Sequence, residues 1–193
     1  MIRSVYAAYA FALLLCAAAP AQAGTPAKDS TFQTAGTYVA IALPVVAGGI
    51  AVWKDDWTGV KQLTAVTVLT VGTAYALKHL VRECRPFAHP CSHNSTNWDS
   101  FPSDTAALAF APAGFLWGRY GWSYGLPAYA AAEFVGYSRV DAKKHHWWDV
   151  ATSAAISLGY NELITTRYHK RYGFSSDLEA SPDGVYASLN YRW

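Results

Sequence analysis

Lys78, Arg85, Ser103, Arg139, His145 and Asp149 stand out in a chain otherwise sparing with charge. In "KHLVRECRP", Lys78 and Arg85 are seven residues apart, about two helical turns, so both leave one helix face before Pro86 ends it. In "FPSDTA", Ser103 and Asp104 open an apolar stretch. Both are favoured helix caps, and a helix N-terminus also offers free backbone N–H groups to an anion. In "YSRVDAKKHHWWDV", Ser138-Arg139 precede His145, which lies four residues before Asp149. That spacing lets the carboxylate accept a hydrogen bond from one ring nitrogen, leaving the other free to attack. Taken singly, these are a solvated helix end, a cap and a structural His–Asp contact. Taken together, they are cations that hold a multiply charged anion beside a nucleophile.

Five apolar stretches must bring these residues together. Thr34 to Trp53 and Val60 to about Val81 are about long enough to span a bilayer core. Thr105 to Trp117 and Leu126 to Tyr137 are shorter and contain Gly, Pro and Glu133; Trp147 to Ile164 is the fifth. Strand alternation is absent and small residues recur at spacings of three and four, as in helices that pack closely in a membrane. Trp53, Trp57, Trp117, Tyr120, Trp122, Tyr137, Trp147 and Trp148 gather at segment ends, as an interfacial aromatic belt requires. The expected fold is all-α, a transmembrane bundle of about five core helices, with a soluble helical bundle as the alternative.

Residues 1–23 read as a signal peptide: Arg3, an apolar run from Val5 to Ala19, then Ala21-Gln22-Ala23 as a cleavage pattern. An uncleaved anchor is the rival reading. The helical domain is expected over 24–173 and a polar tail over 174–193, whose last nine residues alternate as a strand would. A lone strand makes no barrel and is left to pair on a partner or fray. With a cleaved signal the mature N-terminus lies outside and the helices alternate. The turn at Lys54 and the basic "RYHKRYG" then fall in the cytoplasm, and all the candidate site residues fall outside.

Composition agrees with this reading. Hydrophobic residues make up 52% and charged ones 15%, against roughly 25% charged in an ordinary soluble domain. Mean hydropathy is only +0.07, so the membrane argument rests on segments. A net charge of +2 is too small for a nucleic-acid binder. Cleavage would remove Cys16 and leave Cys84 and Cys91, which could close a small disulfide loop or remain free thiols. Cys84, His89, Cys91 and His93 match no common zinc pattern, so no metal is expected.

The order Lys78-x6-Arg85-Pro86, then Pro102-Ser103, then Ser138-Arg139-x5-His145-x3-Asp149 resembles the type 2 phosphatidic acid phosphatase superfamily, which includes bacterial acid phosphatases and vanadium haloperoxidases. The phrase "SRVDAKKHHWWDV" is most similar to the lipid phosphate phosphatase branch. The resemblance covers about Lys78 to Asp149. It implies the acid phosphatase/haloperoxidase-like helical fold and no cofactor. It also implies a phosphorylated lipid as partner and a site on the periplasmic side of a bacterial inner membrane. Lys78, Arg85, Ser103 and Arg139 would bind phosphate, His145 would form a phosphohistidine, and Asp149 would hold its ring. The middle motif departs, because the family's Gly-His gives way to Asp104-Thr105, either by two substitutions or by a one-residue deletion that aligns Asp104 with the histidine. That histidine protonates the leaving oxygen, so Asp104, or one of His146, His79 and His93, must replace it, or the protein binds phosphate with little turnover. A soluble periplasmic acid phosphatase and a weakly catalytic phosphate-lipid binder are the alternatives. Candidate substrates are polyprenyl diphosphate, phosphatidic acid, phosphatidylglycerol phosphate and lipid A phosphate, with activated diphosphates favoured by the missing acid.

Overall fold

The computed structural model describes residues 31–93, 95–168, 173–181 and 184–192. The expected signal segment and Cys16 lie outside these residues. Among the described residues five helices form: α1 (Thr31–Trp53), α2 (Trp57–Val81), α3 (Asp104–Tyr120), α4 (Trp122–Asp141) and α5 (Trp147–Ile164). They correspond to the five apolar stretches, each extended at one or both ends or matching within a residue. A short 3₁₀ turn, Pro86–Ala88, interrupts the long α2–α3 connection.

Local chemistry sets the boundaries. Asp56 caps α2, its Oδ1 accepting from the Gly59 N–H at 2.9 Å. Ser103 caps α3 by accepting from the Ala106 N–H at 3.3 Å. Gly121, at φ 94°, makes the corner between α3 and α4 that a side chain would strain. Asp149 accepts from the His146 N–H at 2.8 Å and closes the start of α5.

Helix α3 is the hub. It packs against α1, α2, α4 and α5, and Ala106, Ala109, Phe110, Ala113, Phe115 and Leu116 are buried along it. Its alanines let neighbours approach closely, as small residues do in tightly packed bundles. Asn161 of α5 lies over Gly114, where a Cβ would collide with it, and donates to the Ala111 carbonyl at 3.2 Å. Likewise Gly36 of α1 leaves room for Ser138 at the end of α4. That close approach matters because Arg139 is the next residue.

Helices α1 and α2 turn large apolar side chains outward. Tyr38 and Val45 of α1, and Val68 and Leu80 of α2, are each more than 60% exposed. Among the described residues, α1 and the segment beginning with α2 are long and apolar enough to cross a membrane. At 17 residues, α3 owes its apolar character to the bundle core.

The tail differs from expectation. Its alternating segment becomes β2 (Gly184–Arg192), paired antiparallel with β1 (Gly173–Ser181), Gly173 opposite Arg192 and Ser181 opposite Gly184. The strand's partner is thus the preceding stretch of the same chain. That stretch, "GFSSDLEAS", has too little apolar alternation to announce a strand by itself.

Candidate active site

All the charged candidates meet at one pole of the bundle. Lys78 comes from the last turn of α2, Asp104 from the first of α3, Arg139 from the last of α4 and Asp149 from the first of α5. The α2–α3 connection supplies Arg85, Asp99 and Ser100, and the α4–α5 connection supplies His145. A Cys84–Cys91 disulfide closes the first part of the long connection. Arg85 N–H donates to the Asn97 carbonyl and Ser100 N–H to the Glu83 carbonyl, each at 3.0 Å. Phe87 N–H donates to the Lys143 carbonyl at 3.1 Å, tying the two connections together. With both sulfurs in a disulfide, Cys84 and Cys91 offer no thiolate to a metal.

His145 is buried, and its Nδ1 lies 2.7 Å from the Ser100 carbonyl oxygen. A carbonyl only accepts, so Nδ1 carries the proton and Nε2 holds the free lone pair. Asp149 Oδ2 is farther from Nδ1, at 3.4 Å. It accepts instead from Ser100 Oγ at 2.6 Å and from the His146 N–H at 2.8 Å. The expected His–Asp contact is thus present as a longer approach, with the Ser100 carbonyl the nearer partner of Nδ1. Ser100 touches both groups, holding the ring with its carbonyl and the carboxylate with its hydroxyl. Burial pushes the His145 pKa below its ordinary 6.5, Lys78 and Arg85 push the same way, and Asp149 opposes them. The resting ring is a neutral imidazole, and Nε2 has no hydrogen-bond partner among the described residues.

Lys78 and Arg85 lie within electrostatic range of this ring. Lys78 Nζ donates to the Asp99 carbonyl at 2.7 Å and pairs with Asp104 Oδ2 at 3.0 Å. Arg85 donates from Nε and Nη2 to the two Asp99 carboxylate oxygens, both at 2.7 Å. Arg139 is buried within electrostatic range of Arg85. It is anchored by Nη2 to the Gln33 carbonyl of α1 and by Nε to Ser138 Oγ at 3.3 Å. Ser103 is fully buried, its hydroxyl oxygen used as the α3 cap and its N–H directed to the Asp149 carbonyl at 3.4 Å. Ser153 braces the same corner, its hydroxyl 2.8 Å from the Ser103 carbonyl.

Asp99 and Ser100 escaped sequence reasoning. Their only signal was adjacency to Phe101-Pro102-Ser103, because a carbonyl contact carries no residue-type signature. Of the alternative histidines, His146 stacks on Trp148 at 4.2 Å and turns Nδ1 to Glu83 and Asp149, both at 3.6 Å. His79 packs edge-on against Tyr75. Glu83, His146 and Asp149 place ligand-type atoms within 4.8 Å of one another. Glu83 already accepts from Trp148 Nε1 at 3.0 Å, and Asp149 Oδ2 is taken by Ser100 and His146.

Lys78 and Arg85 thus share one pole with an imidazole held at Nδ1, and Arg139 lies within electrostatic range of Arg85. Residues 59–172 match the family model described as the PAP2 superfamily. The chain belongs to that superfamily. This PAP2 match runs from near the start of α2 past the end of α5 and takes in every charged residue of the site, leaving α1 and the strands outside. The chain is also similar to the lipid A 4'-phosphatase of Helicobacter pylori, 34% identical over 164 residues that cover 78% of this chain and 80% of the relative. No solved structure matches.

Proposed function

We propose that this PAP2 protein hydrolyses a lipid phosphate through a phosphohistidine on His145, at a site on the periplasmic face of a bacterial inner membrane. The carrying observation is the buried His145 ring, held by the Ser100 carbonyl at 2.7 Å beside Asp149 and within the field of Lys78 and Arg85. The phosphoryl oxygens bind Lys78, Arg85 and Arg139, and Nε2 attacks phosphorus as the bond to the leaving oxygen breaks. Water then attacks the phosphohistidine and releases phosphate. Asp149 offsets the positive charge that the ring acquires. Asp104, paired with Lys78 and open to solvent at the mouth of the site, takes up a proton from water and passes it to the leaving oxygen as the ester bond breaks.

The similarity to a lipid A 4'-phosphatase favours a lipid A phosphate as substrate. The Asp104-Thr105 departure favours a diphosphate, whose leaving group needs less help. The exposed apolar faces of α1 and α2 support a membrane setting, in which lipid reaches the pole from the side.

The test is phosphate release from lipid A, polyprenyl diphosphate, phosphatidic acid and phosphatidylglycerol phosphate, using the full chain in detergent. At least one should be turned over, with His145→Ala lowering kcat by about three orders of magnitude or more. Asp104→Asn should lower turnover of monoesters by about two to four orders and of diphosphates by less. A folded protein that releases phosphate from none of them, yet binds them, is the weakly catalytic binder. Equal loss on both substrate types removes Asp104 from the acid role.

A further inference from the structure

The site holds three cations, and in the free protein each of them is already engaged. Lys78 faces Asp104 and the Asp99 carbonyl, Arg139 is tied to the Gln33 carbonyl, and Arg85 is committed to Asp99 through two parallel hydrogen bonds. Two of the cations already hold carboxylates, Arg85 that of Asp99 and Lys78 that of Asp104. An incoming phosphate dianion therefore competes with carboxylates for the same cations.

Asp99 is the carboxylate that must yield. Its two oxygens occupy the fork of Arg85 as two phosphoryl oxygens would, since carboxylate and phosphate fit the guanidinium in the same bidentate way. The carboxylate interacts with Lys78 and His145 as well, so it sits in the field of the whole site. Its backbone is held, because the Asp99 carbonyl accepts from Lys78 and the next residue, Ser100, is fully buried. Its side chain is 42% exposed and has solvent to turn into. Rotation about χ1 frees Arg85 without disturbing Ser100, and hence without disturbing the grip on His145.

We propose that Asp99 is a specificity-determining residue: its carboxylate stands in for the phosphoryl group on Arg85, and only an anion that engages Lys78, Arg85 and Arg139 together displaces it. This rests on reading those three residues as phosphoryl ligands. Asp99 thus raises the affinity threshold of the site, excluding anions that hold a single cation and helping expel product phosphate after turnover. The opposite role for Asp99, as a strut holding Arg85 in place, predicts the reverse outcome and makes the proposal decidable.

The experiment compares the full-length wild type with Asp99→Asn and Asp99→Ala, measuring inorganic phosphate binding by calorimetry and KM and kcat on the best lipid substrate. Removing the competing carboxylate should tighten phosphate binding about tenfold, the equivalent of one charge-assisted hydrogen bond moderated by solvent. KM should fall in parallel, and kcat should stay level or drop as product lingers. Phosphate binding and KM that weaken in both variants would overturn the proposal in favour of a strut, leaving the reading of the three cations intact. If neither wild type nor variants bind phosphate, both the proposal and that reading fall. A thermal melt with and without phosphate guards against misfolding, since a folded Asp99→Asn protein that phosphate stabilises no more than wild type also counts against the proposal.

Discussion

At the residue scale, the chemistry depends on keeping one imidazole neutral and aimed. His145 is the attacking group only when Nε2 is unprotonated, and burial holds its pKa below the ordinary 6.5. An ordinary histidine would be half protonated at pH 6.5, whereas here the competent neutral form still prevails. The acid limb of kcat/KM set by His145 should therefore be centred below pH 6.5. An acid limb centred at or above 6.5 would contradict this assignment. Ser100 is the second residue to test. Ser100→Ala keeps the carbonyl on Nδ1 but removes the 2.6 Å hydrogen bond to the buried Asp149. A hydrogen bond to a charged group contributes about 1.5–3 kcal/mol, so kcat should fall roughly ten- to a hundredfold. Phosphate affinity should change little, because the cations are untouched.

At the scale of elements, helix ends set the positions and the long α2–α3 connection completes them. Lys78, Asp104, Arg139 and Asp149 sit on terminal turns, where rigid helices fix them. Arg85, Asp99 and Ser100 are on a connection of more than twenty residues. Such a segment has to be tied down to work as a binding surface. The Cys84–Cys91 bridge, next to Arg85, is one of the ties. Reducing it, or replacing both cysteines by serine, should leave the helical circular dichroism intact. It should also lower kcat/KM about tenfold, mainly through KM, because loosening reaches Arg85 first. A loss confined to kcat would place the effect on Ser100 and His145 instead.

At the scale of the whole molecule, the bundle is fastened at the pole opposite the site. Arg119 donates to both Asp56 carboxylate oxygens, at 2.5 and 2.7 Å, Tyr120 adds a third donor at 2.8 Å, and Arg119 also donates to the Thr166 carbonyl at 2.7 Å. Tyr168 completes the clamp by donating its hydroxyl to the Lys54 carbonyl and its N–H to the Arg119 carbonyl. Burial alone would raise the Asp56 pKa, but Arg119, the Gly59 N–H and Tyr120 outweigh it and hold the carboxyl below its ordinary 3.8. Arg119→Met leaves that buried carboxylate without its counter-charge. It should cost about 3 kcal/mol of stability, read as a lower melting temperature, while phosphate affinity stays within about twofold. A parallel loss of phosphate binding would mean that the two poles are coupled.

Much of this was legible in the chain itself. The five helices followed from apolar stretches bounded by caps, glycine and proline, because burial and backbone hydrogen bonding act over neighbouring residues. The cations, His145 and Asp149 followed from spacing, because two turns of a helix put side chains on one face. Arg119 and Asp56 stayed hidden, since partners sixty-three residues apart share no local pattern. The partner of the tail strand stayed hidden for the same reason: "GFSSDLEAS" becomes a strand only beside the alternating segment that pairs with it. The sequence by itself determined which residue types could perform phosphoryl chemistry and on which helix ends they sit. Only the tertiary structure decided that a serine carbonyl, rather than the aspartate, grips the imidazole, and that Asp99 occupies Arg85. Both contacts are made across chain segments that only folding brings together.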